Sequence, residues 1–271
     1  MTGHWGLVTD DWVLVTGNWR LGTEMGYTIA IAGKGGIGKS TIASLIIRMI
    51  KEKNKGTVLG VDADPNSNLA EYLGVMPSKS IGEVLDDVSV NKDKIPAGMT
   101  KDRFIEYEVQ SIIAEGEGFD ILSMGRPEGP GCYCYVNNIL RSMTAKLIKD
   151  YDFVVIDNEA GLEHLSRKTA GSADVLLVVS DASPAGLRAA KRISGLTREM
   201  KIKTKKRFLL INRESRVIGE DKLAGMDLDY LGMIPEDSGI EKLSILGGSL
   251  GNLEKDSPAF SALHKLLDKI L

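Results

Sequence analysis

An eight-residue stretch near the amino terminus carries the residue types that bind phosphate groups. Residues 33–40 read Gly-Lys-Gly-Gly-Ile-Gly-Lys-Ser, between an apolar run over 27–32 and a helical pattern over 41–53. Glycines in such a turn let backbone N–H groups converge on a phosphate at the start of a helix, where unpaired donors and the helix dipole favour an anion. Lys39 would reach the terminal phosphates, and the Ser40 hydroxyl would bind a magnesium ion.

The flanking elements favour a phosphate-binding loop over the alternative, a chance glycine-rich turn. A chance turn has no reason to lie between a strand and an amphipathic helix. We therefore predict that this loop binds a nucleotide. The predicted contacts are Gly33, Lys34, Gly35, Gly36, Ile37, Gly38, Lys39, Ser40 and Thr41.

Composition and charge exclude several classes of protein. The 271 residues are 43% hydrophobic with a net charge of −3, so a sizeable core is expected and a nucleic-acid footprint is not. No apolar run approaches the roughly 18 residues that a membrane span requires. Two cysteines rule out a disulfide framework and suit a reducing compartment. We therefore expect a cytoplasmic protein that binds neither nucleic acid nor membrane.

The first 24 residues differ from the rest of the chain. Trp5, Trp12 and Trp19 are spaced seven apart, each as the second residue of three similar heptapeptides, HWGLVTD, DWVLVTG and NWRLGTE. Glycine, threonine, asparagine and valine argue against a heptad helix, and the stretch lacks the basic start and continuous apolar core of a secretory signal. We interpret residues 1–24 as translated repeat DNA outside the fold, and expect the folded domain to comprise 25–271.

From Met25 onward, short apolar runs alternate with helical stripes. This alternation is typical of a mostly parallel sheet covered on both faces. The predicted fold class is α/β, a three-layer doubly wound P-loop NTPase. The segment 75–118 is polar, with one expected helix over 103–115. The last stretch, 258–271, has one apolar face, and we expect it to pack on the core because its polar face mixes both charges.

Carboxylates follow two of the predicted strands. Asp62 and Asp64 follow the strand over 57–61, and Asp157 ends the apolar run 153–156. Ligands of open α/β sheets bind at the carboxyl ends of the strands, so these carboxylates would lie at the ligand-binding edge beside the phosphate loop. For the first pair, a helix N-cap and its neighbour is the alternative.

Lys34 is the unusual residue of the loop, because Lys39 already supplies a cation to the phosphates. The string GKGGIGKS resembles the deviant Walker A motif of the MinD, ParA and nitrogenase iron-protein class of dimeric ATPases. The resemblance implies a homodimer with ATP and Mg²⁺ as cofactors. It also implies that Lys34 reaches the partner's nucleotide, in the role that an arginine finger has elsewhere.

Two further stretches resemble the switch regions of this class. Asp62-Ala-Asp64-Pro resembles switch I, in which the first aspartate supports magnesium and the second orients the attacking water. Residues 157–165 resemble switch II, with the pattern D-x-x-A-G-x-E-H-L. The implied magnesium ligands are Ser40, Asp62 and Asp157, and the implied catalytic residues are Lys34, Lys39 and Asp64. Glu159 stands where many relatives carry a small residue. His164 could be a base or metal ligand, but a structural hydrogen-bonding histidine is the commoner case.

The adenine contacts are also implied by the resemblance. Asn212-Arg213 follows the apolar strand 208–211 and matches the Asn-[Lys/Arg] pair that recognises adenine. Residues 233–237 resemble the second base-contacting loop, which adds Pro235 and Asp237. The basic run 201–207 precedes this strand. Its charges are explained by the solvated end of a helix and the segment that leads into the strand, without nucleic acid.

A Cys-x-Cys pair, Cys132 and Cys134, follows a loop over 125–131 that contains two prolines and three glycines. A disulfide between them would be strained, and two ordinary buried cysteines are the simplest alternative. A metal site is the other interpretation, because a two-fold dimer would bring four thiolates together across its axis. Chemistry alone suits Zn²⁺ or an iron-sulfur cluster at least as well as Ni²⁺.

The stretch GRPEGPGCYCYVNNILR, residues 125–141, resembles the CooC-type carbon monoxide dehydrogenase maturation ATPases. The resemblance implies that nickel, or zinc at the same site, binds to Cys132 and Cys134, and that carbon monoxide dehydrogenase is the client. Two other functions stay open. One is an electron carrier like the nitrogenase iron protein, and the other is a positioning ATPase of the MinD or ParA type.

Overall fold

The computed structural model describes residues 26–64, 68–125, 145–159, 172–216, 218–219, 223 and 225–271. Three predictions lie outside the described residues. They concern the extension over 1–24, the cysteine pair Cys132 and Cys134, and His164 in the switch II pattern.

The described strands form one eight-stranded sheet. They are β1 (Tyr27–Gly33), β2 (Val58–Asp62), β3 (Ala114–Gly116), β4 (Phe119–Ser123), β5 (Phe153–Asp157), β6 (Ser172–Ser180), β7 (Lys203–Asn212) and β8 (Asp229–Ile234). Their order is β3-β4-β2-β5-β1-β6-β7-β8. Every neighbouring pair is parallel except β3 and β4. The predicted mostly parallel α/β sheet is therefore confirmed.

Helices cover both faces of this sheet. The helices of the described ranges are α1 (Lys39–Glu52), α2 (Asn68–Leu73), α3 (Ile81–Val90), α4 (Lys101–Ser111), α5 (Pro184–Glu199), α6 (Ser238–Leu246) and α7 (Pro258–Ile270), and short 3₁₀ segments there span Lys92–Lys94, Ile148–Asp150 and Leu250–Asn252. The core residues of α1, α2 and α7 pack with Ile29 and Val155 on one face. Those of α3, α4 and α5 pack with Ala30 and Ile156 on the other. Alternating strand residues thus serve opposite layers, as the pleat requires.

The carboxyl-terminal helix packs on the core as predicted. Its buried residues are Ala259, Phe260, Leu263, Leu267 and Ile270. In the described part of the chain no helix is long and apolar enough to cross a membrane.

The segment 75–118 contains a helix that the periodicity did not predict. In α3 the Ser80 hydroxyl accepts a hydrogen bond from the Glu83 N–H, and the Glu83 carboxylate accepts one from the Ser80 N–H at 2.7 Å. The sequence signal was the Ser-x-x-Glu spacing of a capping box. The helix predicted over 103–115 ends at Ser111, because residues 114–116 pair antiparallel with β4.

Strand β7 is longer than predicted and includes most of the basic run. It begins at Lys203, and two of its basic side chains are paired: Lys205 with Asp174 at 2.7 Å and Arg207 with Asp227 at 2.7 Å. These ion pairs let a charged segment join the sheet at its solvated end.

Arg48 joins the helix of the phosphate loop to the carboxyl-terminal part of the fold. Arg48 is 9% exposed, and its guanidinium donates to the backbone oxygens of Leu250 at 2.9 Å and Leu253 at 2.7 Å. It also pairs with Glu52 at 2.9 Å and lies 4.6 Å from the ring centroid of Phe260. Arg48 therefore supplies the donor to the Leu253 carbonyl and a second donor to the Leu250 carbonyl, which also accepts from the Leu253 N–H at 3.2 Å.

Replacing Arg48 with methionine should lower the free energy of unfolding by about 1–3 kcal/mol, since the Leu253 carbonyl loses its donor while the Leu250 carbonyl and the Glu52 carboxylate each keep one other partner. Thermal or urea denaturation of the full chain measures this change. The control is Lys53→Met, which removes an exposed ion pair with Asp268 and should cost less than about 1 kcal/mol. Equal losses in the two variants would contradict the anchoring role of Arg48.

Candidate nucleotide-binding site

The loop between β1 and α1 adopts a conformation that requires its glycines. Gly36 and Gly38 have φ angles of +75° and +93°, in the left-handed region. A Cβ atom on Gly33 would lie 2.4 Å from the Val179 carbonyl oxygen, and one on Gly38 would lie 2.6 Å from Nδ2 of Asn212. The backbone conformation and the close neighbours both explain the spacing of the glycines.

The amino terminus of α1 keeps its backbone donors available. Gly38 stands at the N-cap without a side-chain hydrogen bond, and the first turn contains no acidic residue. By contrast, serine side chains cap α3 and α5 at Ser80 and Ser183. Uncapped N–H groups at the positive end of a 14-residue helix favour a bound anion.

The two lysines of the loop have different environments. Lys39 is 6% exposed, and its ammonium nitrogen lies 3.5 Å from the backbone oxygen of Lys34. The side chain of Lys34 is exposed, as are Gly35 and Gly36. Lys39 is therefore held within its own loop, while the side chain of Lys34 is open to solvent.

Two buried aspartates end neighbouring strands beside the loop. Asp62 and Asp157 are opposite each other in the register of β2 and β5, and both are fully buried. The Asp62 oxygens accept hydrogen bonds from the backbone N–H groups of Asp64 at 3.1 Å and Leu69 at 2.9 Å. Neither side-chain oxygen of Asp157 has a hydrogen-bond partner.

Burial raises the pKa of both carboxyl groups. It raises the pKa of Asp62 to about 7, with the neighbouring charge of Asp157 adding to the rise and the two backbone donors opposing it. Burial raises the pKa of Asp157 to about 6. The nearby Ser40 hydroxyl and Lys39 ammonium oppose that rise, although Ser40 does not reach hydrogen-bonding geometry with either oxygen. A divalent cation would stabilise the charged form of both groups.

These residues fit a magnesium ion bound with a nucleotide. In the described ranges no three His, Cys, Asp or Glu side chains converge to hold a metal by themselves. Magnesium is usually bound through one or two carboxylates, water and substrate phosphates, so a larger cluster is not required. The unpaired oxygens of Asp157 and the Ser40 hydroxyl would hold the ion, with Asp62 beside them.

The residues around the two carboxylates are fixed by backbone contacts. Asn158 is fully buried and donates to the Ile31 backbone oxygen twice, from its N–H at 3.1 Å and from Nδ2 at 2.9 Å. The first residues of the switch II pattern are therefore attached to β1. Asp64 and Glu159 are each partly buried at the same edge of the sheet.

The predicted adenine contacts line one cavity of about 730 Å³ next to α1. Asn212, Arg213, Pro235 and Asp237 all contribute to its wall, together with Thr41 at the start of the helix. The structure thus brings together residues from three separate parts of the sequence. Sequence reasoning missed other wall residues, among them Tyr72, Ile240 and Ile245, because they belong to helices without any motif.

Two of these side chains already have partners inside the protein. Asn212 donates from Nδ2 to the Ile37 backbone oxygen at 2.8 Å, so one of its two amide hydrogens is used by the phosphate loop. The Asp237 carboxylate accepts from the N–H groups of Gly239, Ile240 and Ala259 at 2.9, 3.2 and 2.9 Å. Asp237 thereby connects the starts of α6 and α7, which shapes the wall of the cavity.

The fold and the site define a P-loop nucleotide-binding protein of the α/β class. A family model described as an AAA domain matches residues 26–210. The chain belongs to this family and is an ATP-binding P-loop ATPase of the MinD/ParA type.

Three similar proteins illustrate the range of the family. An uncharacterized ATP-binding protein of Methanocaldococcus jannaschii is 41% identical, over 90% of this chain and 98% of its own length. The carbon monoxide dehydrogenase accessory protein CooC of Rhodospirillum rubrum is 30% identical, over 90% of this chain and 95% of its own length. The septum site-determining protein MinD of Pyrococcus horikoshii OT3, solved in complex with Mg-ADP, has the same fold with a TM-score of 0.67. It is 22% identical, and the match covers 91% of this chain and 96% of the MinD chain.

Replacing Asp157 with asparagine should stabilise the protein in EDTA without nucleotide at pH 8. The carboxyl pKa rises from 3.8 to about 6 in the fold, so the folded chain binds more protons than the unfolded chain between these values. Stability therefore falls as pH rises through this window, by roughly 3 kcal/mol in total. The variant should melt at least about 5 °C above the wild type at pH 8 and close to it at pH 4.

Asp237→Asn provides the contrast in the same melting experiment. Burial raises the pKa of Asp237, but hydrogen bonds from Ala259 and the start of α6 outweigh this and lower it overall. This carboxylate therefore stabilises the fold above its unfolded pKa, and the variant should melt below the wild type at pH 8. A lower melting temperature for Asp157→Asn at pH 8 would contradict our account of its unpaired charge.

Proposed function

We propose that the protein is a dimeric ATPase that binds nickel through Cys132 and Cys134 and uses ATP binding and hydrolysis to load it into carbon monoxide dehydrogenase. The geometry of the loop, the two aspartates and the cavity supports ATP as the nucleotide. The cysteine pair supports a soft metal as the cargo. Zinc suits the same thiolates, so the choice of nickel rests on the resemblance of residues 125–141 to the CooC-type ATPases. The similarity to the carbon monoxide dehydrogenase accessory protein CooC supports the choice of client.

The proposed hydrolysis uses residues at the edge of the sheet. Backbone N–H groups of the loop and Lys39 hold the phosphates, and Mg²⁺, when bound, stabilises their negative charge. Asp64 orients the attacking water towards the γ-phosphate. Lys34 of one chain reaches the nucleotide of the partner and offsets the charge that develops as the bond to the γ-phosphate breaks.

The link between Asp62 and the cysteine segment carries this proposal. Met124 immediately follows β4 and lies eight positions before Cys132. Its N–H donates to the Asp62 backbone oxygen at 2.8 Å, and its own backbone oxygen accepts from Gly82 at the start of α3 at 3.0 Å. The polypeptide that leads to the cysteines is thus attached directly to a proposed magnesium residue. This attachment supports coupling between nucleotide state and metal binding.

Gly125 continues this attachment. Its φ angle is +57°, and a Cβ atom there would lie 2.3 Å from the Ser80 hydroxyl oxygen. The chain therefore leaves the sheet in close contact with α3. A shift at Asp62 on nucleotide binding would be transmitted to this exit point through packed backbone.

The two alternatives predict different behaviour of the purified protein. An electron carrier of the nitrogenase iron-protein type would be brown as purified and would lose colour on oxidation. A positioning ATPase would cosediment with lipid vesicles or DNA in the presence of ATP. A positioning ATPase has no need of a Cys-x-Cys pair, whereas an electron carrier would also close a dimer over four thiolates.

Metal analysis of the anaerobically purified dimer, with and without ATP, tests the proposal. We expect one nickel or zinc ion per two chains, and tighter metal binding with ATP than without it. Iron and labile sulfide in place of this ion would support the electron carrier. Protein without bound metal after supplementation with Ni²⁺ and Zn²⁺ would contradict the proposed function.

A further inference from the structure

Ser123 is a buried hydroxyl group without a hydrogen-bond partner, and it lies beside the proposed magnesium site. It is the last residue of β4 and is 3% exposed. Its Oγ atom has no partner in the structure. Because a buried polar atom that is unpaired destabilises a fold, few such atoms persist in native proteins without a function.

The other unpaired atoms in the described ranges lie at the same edge of the sheet. The buried side-chain atoms without a partner there are Ser123 Oγ, both carboxylate oxygens of Asp157 and Oδ1 of Asn158. All of them stand at the carboxyl ends of β4 and β5. This clustering indicates a shared role at the edge where the proposed ligand binds.

Strand register places Ser123 next to Asp62 on the same face. Ser123 is opposite Asp62 in β4 and β2, and Asp62 is opposite Asp157 in β2 and β5. Two residues earlier, Ile121 and Val155 pack in the α1 layer. Strand side chains alternate between faces, so Ser123, Asp62 and Asp157 all point towards that layer. Neighbouring strands are about 4.8 Å apart, which puts the hydroxyl within reach of the Asp62 carboxylate by a rotation about χ1.

We propose that Ser123 is a positioning residue of the magnesium site that acts through Asp62. Its hydroxyl donates a hydrogen bond to the Asp62 carboxylate when the magnesium–nucleotide complex binds. Each Asp62 oxygen already accepts one backbone N–H and retains a lone pair for a further donor. The added donor stabilises the negative charge of Asp62 beside the second carboxylate, Asp157, and so strengthens magnesium binding. This inference rests on the proposed magnesium–nucleotide site.

The test compares the affinity for ADP in EDTA and in excess Mg²⁺, measured by calorimetry on the full chain. In wild type, Mg²⁺ should tighten ADP binding. Ser123→Ala should bind ADP in EDTA within about twofold of wild type, because the hydroxyl does not touch the nucleotide. The factor by which Mg²⁺ tightens ADP binding should be about tenfold smaller in this variant than in wild type, which is the effect of one hydrogen bond to a charged group.

Ser194→Ala is the matched control. Ser194 is also a buried serine, 1% exposed, but its hydroxyl donates to the Asp227 backbone oxygen at 3.1 Å on the α5 side of the sheet. This variant should keep the full effect of Mg²⁺ and should melt at a lower temperature, because it leaves a carbonyl unpaired. Ser123→Ala should instead melt at or slightly above the wild-type temperature in EDTA, since it removes an unpaired hydroxyl.

The outcomes separate this inference from the function on which it rests. If Asp157→Ala loses the Mg²⁺ effect while Ser123→Ala retains all of it, the role of Ser123 is refuted and the magnesium site stands. If Mg²⁺ does not tighten ADP binding in wild type, the magnesium site is refuted, and the role of Ser123 with it. A reduced effect in Ser123→Ala together with an unchanged one in Ser194→Ala supports the inference.

Discussion

Replacing Lys34 with alanine should lower ATP turnover by as much as about 10³-fold and leave ATP affinity within about twofold. The expected loss follows from the size of arginine-finger effects in other phosphoryl-transfer enzymes. Lys34 is exposed on the loop, whereas Lys39 is buried within it. Lys39→Ala should therefore weaken nucleotide binding itself. Steady-state turnover and equilibrium binding, measured on the same preparations, distinguish the two variants.

Mixing variants tests whether Lys34 acts on the partner's nucleotide. A chain with Lys34→Ala keeps its own Asp64, and a chain with Asp64→Ala keeps its own Lys34. A heterodimer of the two contains one site with both groups intact, so turnover should recover to about a quarter of wild type at equal mixing. Lys206→Ala, which removes an exposed lysine on β7, should have wild-type turnover. Lack of recovery at every mixing ratio would show that Lys34 does not act across the dimer.

Replacing both cysteines with serine should abolish the metal-induced dimer and the activation of the client enzyme. If Cys132 and Cys134 of two chains share one ion, metal binding and dimerisation are one equilibrium, with one ion per two chains. Serine keeps the size of the side chain but removes the thiolate ligand. Sedimentation equilibrium with Ni²⁺ or Zn²⁺ measures the dimer, and metal analysis measures the stoichiometry.

ATP binding should survive in the double-serine protein, which therefore serves as its own control for folding. In wild type, metal and ATP should tighten each other's binding by the same factor, because both stabilise the same closed dimer. The metal affinity should also fall as pH drops below the thiol pKa, near 8.5 before the metal lowers it, since only the thiolate binds. A double-serine protein that still binds one ion per dimer with wild-type affinity would refute the shared site.

Local sequence pattern alone determines the phosphate loop and the class of fold. The spacing of Gly33, Gly38, Lys39 and Ser40 indicates a backbone conformation that depends mainly on neighbouring residues, and the structure shows Gly36 and Gly38 in the left-handed region. Periodicity likewise predicted buried strands and a core-packing α7, because a side chain's layer follows directly from its position in a strand or helix.

Weak or competing local signals explain where the predicted helices and strands differ from those in the structure. Helix α3 was missed because its Ser80–Glu83 capping box lies in a polar segment with little periodicity. The helix predicted over 103–115 ends earlier, at Ser111, because strand β3 is stabilised by pairing with β4. Helix propensity contains no information about this long-range contact. The length of β7 depends on ion pairs with Asp174 and Asp227, which come from distant parts of the chain.

Only the tertiary structure decided which polar groups meet and which remain unpaired. The sequence placed Asp62 and Asp157 at strand ends, but the register made them neighbours and left the Asp157 oxygens without a donor. Ser123 had no motif at all, and its burial beside Asp62 follows from the pairing of β2 with β4. Hydrogen-bond satisfaction and desolvation are properties of a packed neighbourhood. They are set by residues far apart in the chain, so local sequence could identify the chemical groups of this site but not their environment.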